Sequence, residues 1–178
     1  MQIFLTHISE FPFASLGGEE SRHCIKVLRH KEGDHIYVTE GKGSLYKASI
    51  LSYTKTETQL EILASHPNYG EHPFYMRLAV SPLRLKDRFE WMIEKAVELG
   101  VNEIVPLNCK RTDVYKAKFK ANRIQTILLT ALKQSKRSQL PLLAEIQDFS
   151  DWIKTPIQGS KLMGWCETEE KDSTYFEE

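Results

Sequence analysis

Between residues 86 and 106 the chain reads KDRFEWMIEKAVELGVNEIVP, and this stretch limits the possible folds more than any other. Phe89, Met92, Ile93, Ala96 and Val97 recur at the i, i+3, i+4, i+7, i+8 spacing of a helix with one buried stripe. Asp87, followed three residues later by Glu90, has the form of a capping box at the start of that helix. Gly100 supplies the left-handed turn that ends it. Val101, Ile104 and Val105 then run into Pro106 as a short buried strand, and residues 77–80 before the helix are strand-like as well. Strand, helix, strand is a βαβ unit. Its two strands must lie parallel, because the crossover helix returns the chain to the same edge.

The segment ahead of this unit has a different texture. Residues 3–6, 35–39, 45–53 and 58–63 show short alternation or β-branched and aromatic enrichment, and Gly41-Lys42-Gly43 offers a turn between two of them. Such a run of short strands predicts a small barrel or sandwich. Between them lies SRHCIKVLRHKEGD, where Ser21 is placed to cap a short helix and Gly33-Asp34 to close its exit loop. Residues 66–73, HPNYGEHP, have the composition of a linker, so the domain boundary falls there.

After the βαβ unit, NCKRTDVYKAKFKANR forms a basic loop leading into a second helix, with Ile124, Ile127, Leu128, Ala131 and Leu132 at helical spacing. Residues 142–146 then read as a short extended segment, 148–153 as a helical turn and 161–166 as another buried strand.

Charge is strongly segregated along the 178 residues. Residues 1–72 carry 7 basic and 9 acidic side chains, residues 73–137 carry 14 and 6, and residues 138–178 carry 3 and 9, so the net charge is zero. So basic a middle third suits a phosphate-rich partner. It also suits a solvated face neutralised by the acidic tail. Lys133, Lys136 and Arg137 complement the carboxyl end of the second helix, but that does not account for Arg111, Lys116, Lys118, Lys120 and Arg123 as well. Cations at both ends of one helix suggest a surface for phosphates.

No apolar run approaches the ~18 residues of a membrane span, and the N-terminus lacks a basic segment followed by an apolar one. A cytoplasmic protein is the expectation, with no membrane partner. Cys24, Cys109 and Cys166 are far apart and in no CxxC pair, and no HxxxH or HExxH is present, so neither a disulfide framework nor a metal site is expected.

Four motifs follow one another in a specific order. They are His23 with Val27-Leu28-Arg29 and Gly33-Asp34; Lys86, Arg88 and Glu90 with KAVELGV at 95–101 and Ile104-Val105-Pro106; Arg111-Thr112; and Ala131 with Gln134-Ser135, Arg137 and Pro141. Together, over nearly the whole chain, they resemble the RsmE type of 16S ribosomal RNA methyltransferase, of the SPOUT class.

The resemblance implies a mixed β and α/β fold: a PUA-like, RNA-binding β-barrel over residues 1–70, then a SPOUT domain over 74–178, an α/β unit normally trefoil-knotted around S-adenosylmethionine. It implies a homodimer that transfers a methyl group to N3 of a uridine in 16S rRNA, with the small ribosomal subunit as partner. His23, Arg29, Lys86, Arg111 and Arg137 are the expected RNA contacts, and Thr112, Gln134 and Arg137 fall near the reaction. No general base is assigned. For Lys95 a structural role on the helix face is the expectation. Where the family has an acidic residue before Gln134, this chain has Lys133.

Family members continue into a GPEGG loop and an LRTETA-like segment, neither of which occurs here. An incomplete, C-terminally truncated SPOUT domain is therefore expected, inactive alone, with the cofactor-binding residues in the missing part. The alternative is a non-enzymatic RNA-binding remnant.

Overall fold

The computed structural model describes residues 1–110 and 121–164. In the first part of the chain β1 (Ile3–Leu5), β2 (His7–Glu10), β3 (Phe13–Gly17), β4 (His35–Thr39), β5 (Ser44–Tyr53) and β6 (Glu57–Pro67) form one sheet, in the order β1-β4-β5-β6-β3-β2. β1 pairs with β4 in parallel, and the other pairs are antiparallel. β1 and β2 occupy opposite edges of this sheet, yet only Thr6 separates them in the chain. The edges must therefore approach each other, and the sheet curls into a barrel-like shell. Thr6 fastens the corner, its N–H donating to the Thr39 carbonyl and its hydroxyl to the Ser15 carbonyl, both at 2.9 Å.

Alternate side chains point inward along the strands. Ala14, Leu16, Ile36, Val38, Leu60 and Ile62 meet Phe4 and Cys24 in the barrel core. β2 and β3 are strands that the local pattern does not announce, and β6 runs on through Pro67 into residues that read as linker. α1 (Gly18–Arg22) continues into a π-helical turn over His23–Val27. Ser21 does not cap this helix. It lies inside it, buried, with its hydroxyl 2.8 Å from that of Thr58.

The second unit is a parallel sheet with β8 (Glu103–Asn108) at its centre. β7 (Arg77–Val80) lies along one side of β8; β9 (Leu142–Leu143) and β10 (Gln147–Asp148) follow each other along the other side. α2 (Lys86–Glu98) crosses from β7 to β8, as the βαβ reading requires. α3 (Ala121–Ser135) precedes β9, and α4 (Phe149–Trp152) follows β10. Phe89, Ile93, Ala96 and Val97 of α2 pack with Ile124, Ile127, Leu128 and Ala131 of α3 over Ile104. The periodic stripes foreseen in both helices are thus the second core.

Two local expectations give way here. The capping box of Asp87 and Glu90 does not form: α2 starts at Lys86, and the carboxylate of Glu90 is held by Arg123 (2.9 Å) and Lys86 (3.5 Å) instead. Residues 161–164 are not a strand, and Leu162 is 90% exposed, because no neighbouring strand among the described residues pairs with them. Trp165 and Cys166 lie outside the described residues.

The end of α2 forms as the sequence suggests. Gly100 has φ +99°, and a Cβ there would come within 2.3 Å of the His72 ring. The N–H groups of Gly100 and Val101 return to the carbonyls of Val97 and Ala96, a Schellman ending. α3 ends in the same way, but with Lys136 (φ +59°) in the left-handed position and Arg137 N–H donating to the Leu132 carbonyl.

Candidate functional site

Parallel strands place their carboxyl ends along one edge of the sheet, which is where open α/β sheets hold ligands. Here that edge is formed by Val80, Asn108 and Asp148, with Asn108 paired in register to Asp148. Asn108 Nδ2 donates to Asp148 Oδ1 at 2.7 Å. That bond leaves Asn108 Oδ1 buried with no donor among the described residues. An orphaned acceptor is costly unless something satisfies it, typically by ~1–3 kcal/mol. A carboxylate beside an unsatisfied amide oxygen suits a ligand bearing N–H or O–H donors. Sequence reading missed both residues, although Asn108 opens the NCKRT run that follows the central strand. Arg111 and Thr112, from that run, lie outside the described residues.

Gln134 sits elsewhere, exposed on α3. It lines a 430 Å³ groove between α2 and α3 together with Glu94, Glu98, Arg123 and Thr130. The cations near this groove are already engaged. Lys95 Nζ lies 2.9 Å from both Glu94 and Glu98, whose carboxylates raise its pKa. Arg123 grips Glu90, and this hydrogen bond holds the Glu90 carboxyl below the usual range. Lys95 is therefore structural, and the groove rim is acidic. Lys86 keeps a 65% exposed side chain beyond its long contact to Glu90.

The barrel presents a different surface. Arg22, Lys26, Arg29 and Lys31 are all exposed around the π-helical turn and the loop after it, and Arg29 has a left-handed backbone (φ +61°). His23 and His30 lie edge-on to Phe4, with ring centroids 6.0 and 6.4 Å away, so one core ring anchors both ends of this turn. The Lys31 N–H (2.9 Å) and the His30 ring (3.2 Å) hold Asp34, and they lower its pKa in that order. His23 and Arg29 thus share one basic turn, and Lys86 and Gln134 belong to the other unit.

Arg137 corrects an expectation. Its side chain is 3% exposed, ion-paired with Glu71, and donates from Nη1 to the Val97 carbonyl at 3.0 Å. A guanidinium enclosed and engaged in this way is not open to RNA phosphates, contrary to the expectation for Arg137. It belongs to a fastening between the two units. Glu71 also accepts from the N–H groups of Ser138 (3.0 Å) and Gln139 (2.9 Å), Gly43 N–H donates to the Ser138 carbonyl (2.9 Å), and Leu140 N–H donates to the Gly41 carbonyl (2.8 Å). Lys133, unusual for the motif it sits in, pairs with Glu20 of α1 at 2.5 Å. The residues read as linker are therefore docked rather than loose.

Comparison with known proteins gives this geometry a context. Residues 70–178 match a family described as an RNA methyltransferase domain, and residues 16–63 match an RNA methyltransferase PUA domain. The chain is 30% identical over 151 residues to ribosomal RNA small subunit methyltransferase E of Bacillus subtilis, covering 83% of this chain and 59% of that protein. It superposes on a probable rRNA-methyltransferase from Porphyromonas gingivalis with a TM-score of 0.77 and 27% identity, over 88% of this chain and 65% of that one. A ribosomal RNA small subunit methyltransferase E from Neisseria gonorrhoeae, solved bound to S-adenosyl methionine, gives 0.73 and 27%, over 88% and 66%. The chain thus spans about 59% of the Bacillus subtilis relative.

Proposed function

The chain belongs to the RNA methyltransferase family, of the ribosomal RNA small subunit methyltransferase E type, and on that premise we propose that it serves S-adenosylmethionine-dependent methylation of N3 of a uridine in 16S rRNA. The observation that carries this reading is the acceptor pair at the carboxyl edge of the parallel sheet. Asp148 and the orphaned Asn108 Oδ1 suit the amino and hydroxyl groups of S-adenosylmethionine. Bound there, that cofactor supplies an electrophilic methyl group. The chain's own residues hold its polar groups and bring the RNA to it.

In this reading the barrel turn carrying His23 and Arg29, with Lys86 on α2, meets RNA phosphates, and neutralising them makes affinity fall with salt. By their motif positions Arg111 joins the RNA contacts and Thr112 lies near the reacting centre, whereas Gln134, also expected there, lines the separate groove between α2 and α3. A uracil must be unpaired or turned out of its stack for N3 to be reached. The same proposal takes residues 1–70 as the RNA-binding unit and 74–178 as a methyltransferase unit of SPOUT type, working as a cytoplasmic homodimer on the small ribosomal subunit. Among the described residues no helix is long and apolar enough to cross a membrane.

Calorimetric titration with S-adenosylmethionine tests the cofactor half. Against the expectation that the cofactor's partners all lie in the absent loops, saturable binding that weakens at least tenfold in Asp148→Asn is expected; a folded chain that takes up no cofactor would contradict the assignment and favour the RNA-binding remnant. Binding to a 16S rRNA fragment tests the other half. Arg29→Ala with Lys86→Ala is expected to reduce the slope of log affinity against log salt by about 1.4, two contacts at ~0.7 each for single strands.

A further inference from the structure

We propose that a second cavity, at the seam between the barrel and the parallel sheet, holds an unpaired base of the RNA, as a flanking subsite distinct from the reacting centre. The proposal rests on the RNA-binding reading above. The cavity measures about 400 Å³ and is lined by Asn68, His72, Phe74, Tyr75 and Gln139 among others. This is the size of a small-molecule site. It lies at the amino ends of the strands, since Asn102 just before β8 and Leu142 at the start of β9 both line it. The Asn108–Asp148 pair is at the far end of β8. Six residues of strand span about 20 Å, so one nucleotide cannot fill both places.

The wall has the chemistry of a base platform. His72 and Phe74 stack with ring centroids 5.0 Å apart and planes 7° from parallel, yet Phe74 remains 55% exposed, leaving π-surface open to a further ring. Aromatic faces of this kind bind bases of single strands whatever their sequence. The Tyr75 ring is also largely exposed, and its orientation is set by the hydroxyl, which donates to Glu103 at 2.8 Å. Asn68 has a left-handed backbone and a side-chain amide with no hydrogen bond among the described residues. A free amide offers one acceptor and two donors to a base edge.

The local charges permit an anionic guest. Glu71 is spent on Arg137 and two backbone N–H groups, and Glu103 on Tyr75 and Arg77 (2.7 Å). Lys136 is exposed, has no ion-pair partner among the described residues, and its carbonyl packs against Gly70 beside the cavity. A lysine whose backbone is rooted there has its side chain within reach of the phosphate of the nucleotide whose base is stacked.

Fluorescence anisotropy with a labelled ten-nucleotide oligouridylate tests the subsite, with circular dichroism confirming the fold of each variant. Phe74→Leu keeps the apolar volume and removes the stacking face. It is expected to weaken binding about five- to hundredfold with the salt slope unchanged, since no phosphate contact is lost. Lys136→Ala is expected to lower the slope by about 0.7, and Asn68→Ala, on an exposed turn, to weaken binding without touching the slope. Oligouridylate binding by the unaltered chain that survives intact in Phe74→Leu and Asn68→Ala would overturn the subsite and leave the RNA-binding reading standing. Absence of binding by the unaltered chain would overturn both.

Discussion

Replacing Glu71 by alanine is the most direct test of how the two units are fastened. Its carboxylate takes three donors, from the Arg137 guanidinium and the N–H groups of Ser138 and Gln139. The two side chains of the ion pair are only 3% and 8% exposed. Alanine at this position strands a buried guanidinium, whose Nε already lacks a partner, together with two backbone N–H groups. Breaking a buried pair from one side costs about 3–5 kcal/mol, a large share of the roughly 5–15 kcal/mol that holds a domain folded.

Approached from the other side, Arg137→Met leaves Glu71 with two backbone donors and is expected to cost less, about 1–3 kcal/mol. The double variant no longer contains the stranded cation. It is therefore expected to be more stable than Glu71→Ala alone. Lys133→Ala, which breaks the part-buried pair with Glu20, is expected to cost about 1 kcal/mol. Urea titration followed by circular dichroism measures all four. A Glu71→Ala chain within about 1 kcal/mol of the parent, or a double variant weaker than Glu71→Ala, would refute the reasoning.

Three further outcomes follow from single sites. Gly100→Ala forces a side chain into a left-handed backbone and into the His72 ring, so a loss of at least ~1–2 kcal/mol is expected, and an unchanged melting temperature would sink that account. Burial, and then the charges of Asp34 and Glu20, push the Cys24 thiol from 9.0 up to about 11, so at pH 8 iodoacetamide is expected to modify it about a hundredfold more slowly than in the denatured chain. The same shift sets a sign: the stability it confers is complete below pH 9 and is lost as pH rises towards 11, because the unfolded chain ionises first. The Glu90 carboxyl, held below its ordinary 4.5 chiefly by Arg123, behaves oppositely. Its contribution is present above that pH and lost as pH falls below it, and in Arg123→Gln, where only Lys86 still faces Glu90, this part of the acid dependence is expected to shrink in a pH series of urea midpoints.

Helical periodicity makes α2 and α3 readable from sequence, because four or five apolar residues at this fixed spacing fit one face of a helix and no strand, and Gly100 marks a stop. The strands of the barrel are partly readable. β4 has the alternation of a half-buried strand, but Phe11 and Phe13, around the β2–β3 corner, take exposed positions where local pattern misleads. Arg137 is misleading because sequence shows a cation's position but not its burial, and its partner Glu71 lies 66 residues away in a segment with linker composition. Asn108 and Asp148 meet only through the parallel register of β8 and β10, 40 residues apart, which no spacing rule reveals. Leu162 and Met163 show the converse, apolar residues that find no partner strand among the described residues.

The fastening between the two units also has a temporal side. Glu20 and Lys133 are 113 residues apart, and Thr39 donates to the Ser138 carbonyl across 99 residues. Contacts of such separation form late, since the intervening chain must be closed first, whereas the barrel strands are mostly joined by short turns. On a chain made from its N-terminus the whole barrel, with its basic turn, is available before the end of α3 exists. The basic surface is thus expected to mature as an independent folding step, with docking of residues 136–140 as the last event. Pulse-labelled hydrogen exchange that protected the Ser138 and Gln139 amides as early as those of β4 and β5 would argue against this order.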